Sequence, residues 1–526
     1  MQFIIQNLNF HIPNTNVQFT DVNLSFSNKK YGLVGDNGIG KSTFFKLIAG
    51  MILPHSGQIT VPSFSYLQQE PTKNQSIQDI LEITPIIQAL KRIEAGHIDP
   101  EDFDLVQLHW DLKQKINILF DEWQIGYLTL DTLFSELSGG EQTKIQIIKA
   151  MLSQVDVILL DEPSNHLDKK SKLKLLNWII SSKQCFIIIS HDKSLLNEMD
   201  VVIELSTQGF KAYGGNYDFY CAQRAIEQAS LSQKITQATR ELSDIQKAKQ
   251  DMLEKKSNNV SVKKSKEKDK ILKGFQKNLS EQSQSKLIKA NDSRILAAQE
   301  ELNHLKDKLE IKENIKIALP KTHVPSQKIV LKIENIDFAY PNQNLIFQDF
   351  SLTITGAERL SILGDNGSGK STLSQLIMQK IQPQKGSIYI GVEHTQYLSQ
   401  FGDFANENLS IIENFQLKNP DLSVQEAYSR LAQFNFRNTQ AQKCIKHLSG
   451  GEKIRAGLAA TLLSNHPPQL LILDEPSNHL DIRSLEAIEE ILELYEGALI
   501  VISHDEEFLK KLNISQFIKL PKSTTN

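Results

Sequence analysis

Apolar residues along this 526-residue chain follow two patterns that alternate by region. Short unbroken runs, Tyr31-Gly-Leu-Val34, Val157-Ile-Leu-Leu160, Cys185 to Ile189 and Leu470-Leu-Ile-Leu473, predict strands buried on both faces of a sheet. Phe44-Phe-Lys-Leu-Ile48, shortly after the first run, predicts the start of a helix. From about 221 to 325 the pattern changes: Gly and Pro almost disappear, Lys, Gln, Ser and Glu dominate, and apolar residues step by threes and fours. One series is Leu231, Ile235, Ala238, Leu242, Ile245 and Met252; another is Ile288, Ile295, Ala298, Leu302, Leu305 and Leu309. Each is a narrow helical stripe of the coiled-coil kind. With a polar stretch between them, the two stripes predict an antiparallel helical hairpin, the first arm spanning roughly 30 Å.

The flanking regions repeat each other. Gly35, Asp36, Asn37, Gly38, Ile39, Gly40, Lys41, Ser42 and Thr43 recur as Gly364, Asp365, Asn366, Gly367, Ser368, Gly369, Lys370, Ser371 and Thr372. Leu137-Ser-Gly-Gly-Glu141 recurs as Leu448-Ser-Gly-Gly-Glu452, Asp161 to Asp168 recurs unchanged as Asp474 to Asp481, and Ser190-His-Asp192 recurs as Ser503-His-Asp505. Four blocks in one order mean two copies of one module, which divides the chain into 1–220, a linker 221–325, and 326–526.

Composition adds little until it is taken by region. A hydrophobic share of 40% and a charged share of 23% fit a soluble globular protein, and the net charge of −4 gives no whole-molecule sign of nucleic-acid binding. The linker, however, carries 22 Lys and Arg against 14 Asp and Glu. Its stretch 255–290 alone holds 11 Lys against 3 acids, Lys263, Lys264, Lys266 and Lys268 among them, and so accounts for the whole surplus. That basic stretch falls where the hairpin tip is expected. Cys185, Cys221 and Cys444 lie far apart without metal-ligand spacing and read as reduced thiols of a cytosolic protein. No signal peptide is visible at Met1-Gln2-Phe3, and no apolar run approaches the roughly 18–20 residues needed to span a bilayer.

The repeated blocks carry the chemistry. A Gly-rich octet between a buried strand and a helix curls the backbone so that its N–H groups face phosphate oxygens. Lys41 and Lys370 would reach the β and γ phosphates, and Ser42 and Ser371 would ligate Mg2+. Asp161 and Glu162 end an apolar strand, as do Asp474 and Glu475. Alone, either acid pair has a second, lesser reading as a strand-end cap. Beside a P-loop, the Asp suits the metal shell and the Glu suits a general base for the attacking water. Ser138, Gly139 and Gly140, like Ser449, Gly450 and Gly451, open a helix and can present a hydroxyl and free N–H groups to an anion.

A P-loop, then Leu-Ser-Gly-Gly-Glu, then an acid-tipped strand, twice over, resembles the ABC ATPases across some four-fifths of the chain. The resemblance implies an α/β fold: two P-loop ABC-type nucleotide-binding domains, each with a mixed sheet around the P-loop helix, a smaller antiparallel sheet and a helical subdomain carrying the signature. It implies ATP sandwiched head to tail, Lys41 with Ser449 and Lys370 with Ser138, in a monomer. It matches Gln69 and Gln400 to the family's metal- and water-contacting glutamine and His191 and His504 to its switch histidine. Tyr340 matches the aromatic that stacks on adenine; the aligned residue in the first module is Ile12, so stacking there is weaker or comes from Phe10.

Several features resemble one branch, the ABC-F proteins: two cassettes without a membrane segment, the Asp-Glu-Pro-Ser-Asn-His-Leu-Asp block (with Ser164 and Ser477 where the branch usually has Thr), Tyr213-Gly-Gly-Asn-Tyr-Asp-Phe-Tyr220, and the basic helical linker. The resemblance implies a cytoplasmic protein that binds the ribosome, with the linker tip near rRNA and the P-site tRNA. Translation and antibiotic protection both occur within the branch. The competing reading is the ATPase subunit of a membrane transporter. Gln69 to Ser138 is about 20 residues longer than Gln400 to Ser449, which leaves room for at most a short arm in the first cassette.

Overall fold

The computed structural model describes residues 3–12, 17–67, 75–107, 109–165, 167–262, 293–303, 305, 319, 322–341, 344–364, 367–399, 402–477, 480–503 and 505–520. These form two compact units, 1–217 together with 315–526, and 218–314. Both repeats therefore lie in the first unit.

In each repeat the unbroken apolar runs are the middle strands of a mostly parallel sheet. The first sheet runs Phe64–Leu67, Val157–Asp161, Cys185–Ile189, Lys30–Val34, Val201–Ser206, Gly209–Gly214, and only its last pair is antiparallel. The second runs Thr395–Leu398, Leu470–Asp474, Ala498–Ile502, Arg359–Leu363, Gln516–Lys519, all parallel among the described residues. Every residue of Val157–Asp161, Cys185–Ile189 and Ala498–Ile502 is buried, which is why these strands lack the alternation of a half-solvated sheet. A three-stranded antiparallel sheet accompanies each: Gln18–Phe26, Phe3–His11 and Ser56–Thr60 in the first repeat, Phe347–Thr355, Ile329–Phe338 and Lys385–Ile390 in the second. The P-loop helices, Lys41–Ile48 and Lys370–Ile377, bury Phe44, Phe45, Leu373 and Leu376 in the cores that join the two sheets.

The helical subdomains differ. Between its first core-sheet strand and its signature helix, the first repeat holds helices Ile77–Ile80, Thr84–Glu94, Pro100–Val106 and Leu112–Glu122. The second holds Ile411–Lys418 and Val424–Gln433. The extra residues of the first repeat are thus helical, and Arg92 is bonded through its guanidinium to the buried Asp102 on the next helix. Both repeats have the two sheets and helical subdomain expected of ABC-type nucleotide-binding domains.

One helix, Tyr217–Val262, runs 46 residues, about 69 Å at 1.5 Å per residue. It begins well before the first apolar stripe, because Tyr217 and Tyr220 in its first turn are buried and start its packed face earlier. Within 218–314 a second helical stretch covers 293–303, and its Leu302 is buried. The basic stretch with Lys263, Lys264, Lys266 and Lys268 lies outside the described residues, as do 288–292, 304 and 306–309 of the expected return arm. Among the described residues no helix is long and apolar enough to cross a membrane.

Candidate functional site

Lys30–Val34 sits between two parallel neighbours and delivers Gly35 to the C-terminal edge of the sheet. There the chain must turn sharply beneath Leu205. Gly35 has φ +154°, and a Cβ on it would stand 2.3 Å from the Leu205 carbonyl oxygen, so only glycine fits. The loop closes at Gly40, φ +109°, and Lys41 opens the helix. Lys41 is only 7% exposed; its Nζ donates to the carbonyls of Gly35 at 2.6 Å and Asp36 at 3.2 Å and lies 3.3 Å from His191 Nε2. Lys370 Nζ likewise donates to the Gly364 carbonyl at 2.6 Å. Burial lowers the Lys41 pKa, opposed by the nearby Glu162, Asp481, Asp36 and Asp161.

Asp161 is buried at the end of its strand. Burial raises its pKa, while a hydrogen bond from the Ser42 hydroxyl and the charge of Lys41 lower it. Its Oδ2 has no hydrogen-bond partner among the described residues. A buried orphan carboxylate oxygen beside a serine hydroxyl fits a divalent cation: Ser42 and Asp161 would hold Mg2+, which would neutralise phosphate charge. In the second repeat Asp474 Oδ2 instead accepts a 2.7 Å hydrogen bond from the Tyr397 hydroxyl.

The next residue in each repeat is bent. Glu162 has φ +49° and Glu475 φ +47°, left-handed conformations for non-glycine residues. Each amide still bonds the neighbouring strand, Glu162 to the Ile189 carbonyl at 2.9 Å and Glu475 to that of Ile502 at 2.8 Å. The strand's ladder thus continues while the side chain is turned out of the alternation. Burial pushes the Glu162 carboxyl up, and the Asp161 charge adds to this against the pull of Lys41. Glu162 Oε1 is 3.3 Å from His191 Nε2. Burial and the adjacent Lys41 push the His191 imidazole down, so at neutral pH it is uncharged. Gln69, Gln400, His504, Asp365 and Asn366 lie outside the described residues.

Ser138 and Ser449 are the N-caps of helices Gly139–Leu152 and Gly450–Leu462. Each closes a capping box: the Glu141 amide donates to Ser138 Oγ at 3.4 Å and the Ser138 amide to Glu141 Oε2 at 2.7 Å. Glu452 and Ser449 do the same at 3.3 and 2.9 Å. The Glu that ends each signature block is therefore explained by the helix start.

The two repeats meet around the first P-loop. A cavity of about 1000 Å³ is lined by Asp36 to Thr43, Asp161, Glu162 and His191 from the first repeat and by Ser449, Gly450 and Asp481 from the second. The Asn37 amide donates to Asp481 Oδ2 at 3.1 Å, 444 residues away in sequence. Burial opposes the Asp481 charge, but hydrogen bonds from Ser484 and Asn37 hold its pKa below the ordinary carboxylate value. Lys41 and Ser449 thus face one space. Ser138, Gly139 and Gly140 line a different cavity of about 590 Å³ with Glu162 and Glu475, and Lys370 is not on its wall.

Tyr340 stands beside the second P-loop helix, its hydroxyl 3.4 Å from Thr372 Oγ1 and its ring 5.1 Å from that of Phe338. Phe10 is 8% exposed and packs on Phe19 and His55, away from the first cavity; Val17 lines that cavity instead. Strand register explains the difference. Phe10 pairs with Phe19 as Phe338 pairs with Phe347, so Phe10 is the counterpart of buried Phe338, not of Tyr340. The cavity also takes in Lys443, Lys446 and His447, which carry no motif; only their place just before the second signature marks them in the sequence.

A duplicated P-loop sheet with a signature helix across from the first P-loop defines a tandem ATP-binding cassette. A family profile described as ABC transporter matches residues 19–165 and 347–478. ATP-binding protein Uup of Buchnera aphidicola subsp. Acyrthosiphon pisum (strain APS) is 31% identical over 492 residues, covering 92% of this chain and 74% of that protein. ABC transporter F family member 5 of Arabidopsis thaliana is 29% identical over 524 residues, covering 92% and 70%. Among solved structures the fold is similar to RNase-L Inhibitor, with TM-score 0.51 at 18% identity over 96% of this chain and 86% of that one. It is also similar to a ribosome-bound archaeal Pelota and ABCE1 structure, with TM-score 0.52 at 19% identity over 96% and 74%. The chain belongs to the ABC-F family of ATP-binding-cassette proteins.

Proposed function

We propose that this chain hydrolyses ATP, with Mg2+, at two composite sites and uses the cycle to act on the ribosome in the cytoplasm, as a translation factor or a protector against ribosome-bound antibiotics. The observation that carries the ATPase part is the shared cavity in which Lys41 and Ser449 face each other across the two repeats. Glu162 and Glu475 act as general bases on the attacking water, and His191 and His504 contact the γ phosphate. Ser42, Asp161 and Gln69, with Ser371, Asp474 and Gln400, make the two metal shells. Support for the ribosomal part comes from the linker, whose excess of eight positive charges is concentrated in one stretch, as suits phosphate-rich RNA read by backbone and shape. One of the similar solved structures, that of archaeal Pelota and ABCE1, is of a ribosome-bound assembly.

The test is cosedimentation of the Glu162→Gln, Glu475→Gln protein with purified ribosomes, with and without ATP. ATP-dependent pelleting is expected. No pelleting while ATP binding is retained would discard the ribosomal role and direct the search to a permease subunit. Replacing Lys263, Lys264, Lys266 and Lys268 by Gln should weaken ribosome binding. The slope of log affinity against log salt should flatten by about 0.7–0.9 for each phosphate no longer neutralised. Basal ATPase should be unchanged; its collapse would make the linker part of the cassette machinery.

A further inference from the structure

The two composite sites differ on both sides of the nucleotide. On the P-loop side, strand register makes Ile12 the counterpart of Tyr340. The second cassette therefore holds an aromatic ring beside its P-loop helix, whereas the first offers an aliphatic residue there and the aliphatic Val17 on the cavity wall.

On the opposing side the contrast runs the other way. Each signature is preceded by one short 3-10 turn, Phe134–Glu136 in the first repeat and Ile445–His447 in the second, and each turn follows an isolated bridge, Ser76 with Leu133 and Ser410 with Cys444. The two segments are thus equivalent residue by residue. Thr132 stands where the second repeat has Lys443, Ser135 where it has Lys446, and Glu136 where it has His447. The segment facing Lys41 is more positive by three formal charges, one from each pair, than the segment that would face Lys370. Lys443 and Lys446 line the Lys41 cavity, are exposed, and are tied at their tips to Glu452 at 3.2 Å and Asn408 at 3.3 Å.

We propose that the two sites read different parts of the nucleotide. The site at Lys41 selects a triphosphate by charge, with Lys443 and Lys446 of the opposite cassette, and is indifferent to the base. The site at Lys370 selects the base through the Tyr340 ring. A base stacked on an aromatic gains roughly five- to a hundredfold in affinity, and the gain grows with the size of its π face. Attraction by the charge of exposed lysines has no such preference and weakens with salt instead. The first site would therefore take any nucleoside triphosphate, and the second a purine nucleotide.

The inference rests on reading both P-loops as nucleotide sites and is independent of the ribosome. Its test uses the full chain with one P-loop disabled, Lys370→Ala or Lys41→Ala, and displacement of a fluorescent methylanthraniloyl ATP by ATP, GTP and CTP. The Lys370→Ala protein should bind all three within about threefold, and Lys443→Ala with Lys446→Ala should weaken all three together. The Lys41→Ala protein should prefer ATP to CTP by about tenfold or more. Ile12→Tyr, which adds a ring, should give the Lys370→Ala protein the preference it lacks, a gain that misfolding cannot mimic. Equal discrimination by the two single-site proteins, or no effect of the paired lysine replacements, would overturn the proposal. Failure of the fluorescent ATP to bind either protein would overturn the nucleotide-site reading beneath it.

Discussion

Replacing Glu162 and Glu475 together by Gln is expected to lower ATP turnover by roughly 10²- to 10⁴-fold and to leave ATP bound. Both positions hold φ near +48°, and Gln is nearly isosteric, so the backbone bend and its bonds to Ile189 and Ile502 are retained. Only the proposed proton acceptor is removed. Gln keeps the size of the side chain beside Lys41 and adds no negative charge, so affinity for the triphosphate should hold. Phosphate release measured beside binding of a fluorescent ATP separates the two quantities. Turnover left intact in the double variant would remove these residues from the mechanism.

Gly35→Ala should be among the most damaging single methyl additions in the first cassette. The added Cβ would sit 2.3 Å from the Leu205 oxygen, and Leu205 belongs to Val201–Ser206, which is paired with Lys30–Val34 on one side and Gly209–Gly214 on the other. The oxygen cannot retreat without breaking register. A destabilisation of about 2–4 kcal/mol is expected, read as a lowered thermal transition, together with loss of nucleotide binding at the first site. Gly38→Ala is the control: φ there is +80°, but a Cβ would meet nothing within 4 Å. It carries only the conformational penalty, about 1 kcal/mol. Equal effects of the two would mean that conformation, not the close approach to Leu205, is what glycine serves at position 35.

Much of this is legible in the sequence because the chemistry lies in contiguous blocks at fixed places in a sheet. The runs at Tyr31, Val157, Cys185 and Leu470 are buried parallel strands, since a strand covered on both faces has no polar alternation to show. The pairing of Lys41 with Ser449 follows from the family resemblance and not from any local pattern. What stays hidden depends on partners far away in sequence. Lys443 and Lys446 look like ordinary surface lysines until the opposite P-loop is placed before them, and the bond from Asn37 to Asp481 has no local signature. Phe10 is the nearest aromatic to Ile12 along the chain and for that reason a candidate to stack on the base. The pleat decides otherwise, because Phe10 keeps register with Phe19 and faces the core. The length excess of the first cassette is visible in the sequence, but its helical form is not. That form requires the amphipathic faces of Thr84–Glu94 and Leu112–Glu122, with Ile87, Leu90, Ile116 and Phe120 inward.

The bend at Glu162 and Glu475 has a bearing on how this chain can change over generations. A glutamate in the left-handed region costs about 1 kcal/mol or more at each position, and Asn, Asp or Gly would sit there with less strain. Selection for thermal robustness alone would thus favour replacements that remove both of the proposed bases. On the proposed role, a chain carrying Asn or Gly there would gain stability and lose the base in one step.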